Sequence, residues 1–74
     1  MKSRVDWSAV LFDIYRHYRN WAEIMRKLDS SHGALTGWRD RKQEMSYSKG
    51  EKVVDLWMAV TGKTVSELPR LSDG

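Results

Sequence analysis

The segment from Asn20 to Lys42, NWAEIMRKLDSSHGALTGWRDRK, decides how the chain is read, because it holds two helical patterns only three residues apart. Asn20 is a helix-capping residue, and Glu23 stands three places on, where a capping box puts its carboxylate. Trp21, Ile24, Met25 and Leu28 recur at spacings of three and four and form one apolar stripe, with Arg26 and Lys27 facing away. The periodicity stops at Asp29-Ser30-Ser31, whose short polar side chains compete for nearby backbone groups and favour turns and caps. A second helix is expected to start there, in the layout of a helix-turn-helix.

At about 100° of rotation per residue, Leu35 and Trp38 of that second helix point inward, with Ser31, Ala34 and Lys42 near their side. The opposite face is expected to hold His32, Gly33, Thr36, Gly37 and Asp40. Two glycines cost a helix roughly 1 kcal/mol each relative to alanine. What they permit is close approach of the backbone to another surface, and a DNA major groove accepts a helix in that way. On this reading Ser31, His32, Gly33, Thr36, Gly37 and Asp40 reach base edges, while Asn20, Arg39, Arg41, Lys42, Ser48 and Lys49 lie against phosphates. The competing reading is a glycine-broken loop, SSHGALTG, on a plain helical domain.

Gly37-Trp38-Arg39-Asp40, followed by Ser46-Tyr47-Ser48-Lys49-Gly50-Glu51, resembles the small Cro-type helix-turn-helix regulators encoded by phages and prophages. The likeness extends over about Trp7 to Pro69, and its sequence-specific part is those two short runs. It implies an all-α DNA-binding protein that acts as a homodimer on a short operator inside a bacterial cell. The chain departs from the group at four places: Asp29 holds the turn position usual for glycine, Met25 the small-residue position, Arg41 a frequent glycine, and Met45 a common proline. Asp29 tolerates a left-handed turn less well than glycine, and Met25 pushes the two helices apart.

Length and composition set the outer limits. A chain of 74 residues is one domain with a small core, and such chains gain support from metals, disulfides or association. The absence of cysteine excludes disulfides and thiolate metal sites and leaves a second copy as the expected support, with Met58, Val65, Leu68 and Leu71 as its surface. No run approaches the ~20 apolar residues of a membrane span, and no apolar signal segment follows Met1-Lys2-Ser3-Arg4, so a cytoplasmic location is expected. The net charge of +3 is unevenly spread: from Arg16 to Lys42 seven basic residues face three acidic ones. Such a surface attracts phosphate, although an ordinary solvated face would carry the same charges.

Taken in order, Asp6 caps a first helix through about Tyr18, with Trp7, Val10, Leu11, Ile14 and Tyr18 inward and Asp13, Arg16 and His17 toward water. After a polar connection, Gln43 to Ser46, a capping box of Ser48 and Glu51 starts a helix to about Thr61, with Val53, Leu56, Trp57 and Val60 inward. The free N–H groups at its start offer a second use for Ser48 and Lys49, the binding of a backbone phosphate. Gly62 ends that helix. Thr64 and Glu67 cap one further turn that Pro69 stops, and Val65, Leu68 and Leu71 are expected to fold back on the core or to meet the second copy. Trp7, Trp21, Trp38 and Trp57 fall one per long helix on the apolar stripes, which favours core packing over an exposed stacking platform for single strands.

No catalytic or cofactor pattern emerges. His17 and His32 are too far apart for a helical metal pair, no glycine-rich phosphate loop is present, and no serine or aspartate has a positioned base. The expected molecule is a four-to-five-helix bundle that binds duplex DNA as a transcriptional repressor. A helical protein-interaction module and a DNA-bending recombination accessory factor are the alternatives.

Overall fold

A computed structural model describes residues 5–41 and 43–70, so the expectations placed on Lys42 and Leu71 lie outside the described residues. Four α-helices follow one another: α1, Trp7–Tyr18; α2, Trp21–Leu28; α3, His32–Asp40; and α4, Tyr47–Thr61; a single 3-10 turn, Val65–Glu67, comes after them. The all-α bundle is as the periodicities indicate. Short-range chemistry sets most of the boundaries. Asp6 accepts from the Ala9 N–H at 3.3 Å, Asn20 from the Glu23 N–H at 3.2 Å and Ser31 from the Ala34 N–H at 3.3 Å, so the first three helices each start on a side-chain cap.

Two sharp corners join the first three helices. Arg19 (φ 56°) and Asp29 (φ 53°) are the non-glycine residues with positive φ among the described residues, and each closes a helix in the left-handed conformation. Behind Asp29, the Ser30 N–H donates back to the Met25 carbonyl at 3.0 Å, which satisfies part of the open end of α2. The three residues 29–31 therefore suffice to turn the chain from α2 into α3. Gly62, at φ 72°, ends α4 in the same way.

The start of α4 corrects the sequence expectation. Ser46, not Ser48, is the cap, accepting from the Lys49 N–H at 3.4 Å, and Ser48 lies exposed in the first turn. The earlier start follows from Met45. Although it stands in an otherwise polar connection, it is buried with the core and fixes the chain one residue before the cap. Lys49 then points inward, and its ammonium donates to the Leu28 carbonyl at 2.7 Å and to the Asp29 carbonyl at 3.0 Å. Gly50, next in line, is buried under Trp7. A Cβ at Gly50 would stand 3.2 Å from the ring, so the glycine lets the indole lie close against α4.

α1 packs against each of the other three helices and forms the centre of the bundle. Val10, Leu11 and Ile14 of α1, Ile24 and Leu28 of α2, Leu35 of α3 and Val53 and Trp57 of α4 are wholly or almost wholly buried. Trp38 and Trp57 belong to this core as expected, whereas Trp7 and Trp21 are half-buried at its edges. Asp13 does not look to water. Its carboxylate accepts from the Trp57 indole N–H at 3.1 Å and from Arg16 at 2.6 Å, so the most enclosed ring of the core has its polar handle satisfied. Leu68 folds back into the core beyond the 3-10 turn, where the Asp6 N–H donates to the Pro69 carbonyl at 2.9 Å.

Lys49→Met removes two charge-assisted hydrogen bonds across 20 residues of sequence. It should lower stability by about 1–2 kcal/mol in urea unfolding, whereas Lys52→Met, at an exposed position on the same helix, should stay within about 0.5 kcal/mol. Equal effects of the two would show that the Lys49 contact contributes nothing.

Candidate nucleic-acid interface

Exposure in the α2–turn–α3 segment is concentrated where α3 begins. Ser31, His32 and Gly33 are exposed at the start of α3, and Thr36 lies half-buried one turn on. Ser31 spends its hydroxyl oxygen on the Ala34 N–H, and Thr36 donates its hydroxyl to the His32 carbonyl at 2.9 Å. The Thr36 hydroxyl is thereby held in one orientation by a bond to its own helix. Space around Gly33 is open: an added Cβ would meet nothing nearer than the Ser31 hydroxyl at 3.9 Å.

Gly37 belongs elsewhere than expected. It is buried, and the Gln43 side chain lies where its Cβ would stand. The cause is the exit of the chain from α3. The Arg41 N–H donates to the Thr36 carbonyl at 3.3 Å and the Gln43 N–H to the Gly37 carbonyl at 3.0 Å, so Arg41 and Gln43 both fold back on the last turn. Gly37 serves this internal approach and is withdrawn from the outward face.

The expected phosphate contacts divide. Asn20 is exposed and caps α2, and Arg41 is exposed at the end of α3. Lys42 lies outside the described residues. Lys49 is turned onto the end of α2 as described, so it does not project as the phosphate contact expected of it. Arg39 grips both carboxylate oxygens of Asp40, through Nε and Nη2, each at 2.8 Å, and its guanidinium sits 5.1 Å from the centre of the Trp21 ring. Trp21 in turn stacks on Tyr15 and meets Phe12 edge-on, so Arg39 closes an aromatic seam joining α1, α2 and α3. Asp40, expected at a base edge, is the partner that neutralises Arg39.

The hydrogen bond from Arg39 holds the Asp40 carboxyl below the usual carboxylate range, and the charges of Arg39 and Arg41 add to this. The same bond raises Arg39. A lowered folded-state value means that the pairing is complete above the unfolded value of the carboxyl and is lost as pH falls through the lowered folded one. Acid therefore releases Arg39 from Asp40.

The polar side of α2 carries two further cations. Arg26 is exposed on α2, and Lys27 beside it lies 5.4 Å from the centre of the Tyr18 ring. Both were legible as the polar side of the α2 stripe. Among the described residues no group of three His, Asp or Glu is arranged to hold a metal, and no helix is long and apolar enough to cross a membrane. Comparison with protein-family models, with curated proteins and with solved structures found no match.

In a carbon-detected NMR titration, Asp40 should protonate below the ordinary aspartate range, and Arg39→Ala should return it to that range. An unchanged Asp40 midpoint in Arg39→Ala would remove the bidentate pair from the account.

Proposed function

We propose that the chain is a sequence-specific duplex-DNA-binding regulator that lays the outer face of α3 in the major groove, with two copies covering paired half-sites. The observation that carries the reading is the exposed start of α3. A helix begins after a three-residue turn at the end of α2 and leaves His32 and Gly33 exposed and Thr36 half-buried, and the flanking segments carry the exposed cations Arg26 and Arg41. Gly33 supports it most directly. An alanine fits its place, so packing gives no reason for a residue that weakens the helix, whereas close contact with a groove wall does. The roles then divide. His32 and the Thr36 methyl read base edges, and Asn20, Arg26 and Arg41 meet phosphates on either side. Arg39 contributes only in part while Asp40 holds it. Repression follows most simply, by covering a promoter.

Selection of bound duplexes from a random pool tests this reading, and a consensus with two inverted half-sites is the expected result. Absence of any salt-sensitive duplex binding in an anisotropy titration at low salt would overturn it. Gly33→Ala separates fold from function. It should raise stability by up to about 1 kcal/mol yet weaken binding to the selected site. Arg41→Ala should weaken all duplexes alike and reduce the salt slope by about one, whereas His32→Ala and Thr36→Val should change which sequence is preferred.

A further inference from the structure

An open groove of about 660 Å³ runs beside α4, between the start of α1 and the 3-10 turn, and no residue of α2 or α3 lines it. Trp7, Val54 and Met58 are partly buried along it, Val5 and Val65 stand among its walls, and Val65 remains 48% exposed. Val54 and Met58 are one turn apart on α4. So are Glu51 and Asp55, which line the groove alongside them. Both carboxylates are exposed, and neither has an ion-pair partner among the described residues. On a chain of net charge +3, no lysine, arginine or histidine among the described residues lines this groove.

We propose that the groove docks a basic amphipathic helix of a partner protein, its apolar stripe on Trp7, Val54 and Met58 and its lysines or arginines against Glu51 and Asp55. Charge selects this occupant. A second copy seated face to face brings two acidic rims together, and nucleic acid brings phosphate to carboxylate, so both meet repulsion. An apolar stripe flanked by cations gains on both counts, in the way amphipathic helices enter apolar grooves. Length agrees: Tyr47 to Met58 spans about 16 Å at 1.5 Å per residue, enough for about three turns of a docked helix. The proposal stands on α4 and its neighbours and does not rest on the DNA-binding reading.

The test titrates the ¹⁵N-labelled full chain with a synthetic helix of leucine and lysine in amphipathic register, about 14 residues long, and separately with the same peptide carrying glutamate for lysine. Saturable shifts at the Trp7 indole, Val54 and Met58 with the lysine peptide alone are expected. Charge reversal in the double variant Glu51→Lys, Asp55→Lys should weaken this binding by about tenfold. Both positions are exposed, and a circular-dichroism melt verifies that the variant folds. Equal binding of the two peptides, shifts centred on α2 and α3, or unchanged affinity after charge reversal would overturn the proposal. So would sedimentation showing that the parent chain pairs through this face and that Val54→Glu separates the pair.

Discussion

The ammonium of Lys49 on the carbonyls of Leu28 and Asp29 is the contact on which the presentation of α3 depends. A helix end carries unpaired carbonyls and a partial negative charge, and a cation there answers both. At the end of α2 the need is sharper, because the next corner is made by an aspartate at φ 53°, a conformation that costs a non-glycine residue roughly 1–2 kcal/mol. Lys49 comes from α4, so the corner between α2 and α3 is braced by the helix that follows both. The direction in which α3 leaves the bundle is thus fixed by tertiary contact as well as by local turn preference.

The core gains its area from large rings in place of chain length. Trp57 is fully buried, and its indole N–H would be left without a partner but for Asp13 of α1. One carboxylate therefore joins the two helices that pack most closely to the deepest ring, and it takes up Arg16 as well. The seam of Phe12, Tyr15 and Trp21, closed by Arg39, performs the corresponding task between α1, α2 and α3 at the surface. Arg39 is consequently a structural cation first. Its electrostatic reach toward a ligand is limited by Asp40, whose charge it stabilises.

Features set by neighbours within four residues were legible in the sequence. The caps at Asp6 and Asn20 and the stripes of α1 and α2 depend on spacing alone, and the left-handed tolerance of Asp29 is intrinsic to its side chain, whereas Ser31, expected at a base edge, caps α3. What escaped depends on chain returning from a distance. Lys49 acts 20 and 21 residues away, and Asp13 meets Trp57 across 44. Ser46 took the cap from Ser48 because burial of Met45 fixed the start of α4. Gly37 faces outward on an ideal wheel, yet the chain turning back through Gln43 covers it, an event beyond the helix that the wheel describes. Leu68 and Val65, each expected to fold back on the core or to meet a second copy, part company: the Asp6 to Pro69 bond draws one into the core and leaves the other in the groove wall.

The candidate reading face and the acidic groove belong to one body of 34 × 27 × 21 Å, and whether they act independently is a matter of screening. The Debye length is about 8 Å at physiological ionic strength, well under the dimensions of the molecule. A phosphate at α3 then feels Arg41 and Arg26 strongly and the carboxylates beside α4 hardly at all, so the small net charge understates the local attraction. Near 0.01 M salt the length grows to about 30 Å, the fields of the two surfaces merge, and only the modest excess of +3 remains to act at a distance. Charge segregation of this kind lets one small domain present surfaces of opposite sign to two ligands at the ionic strength of a cell, provided the core between them stays rigid. The bracing of α2 by α4 and of α4 by α1 supplies that rigidity.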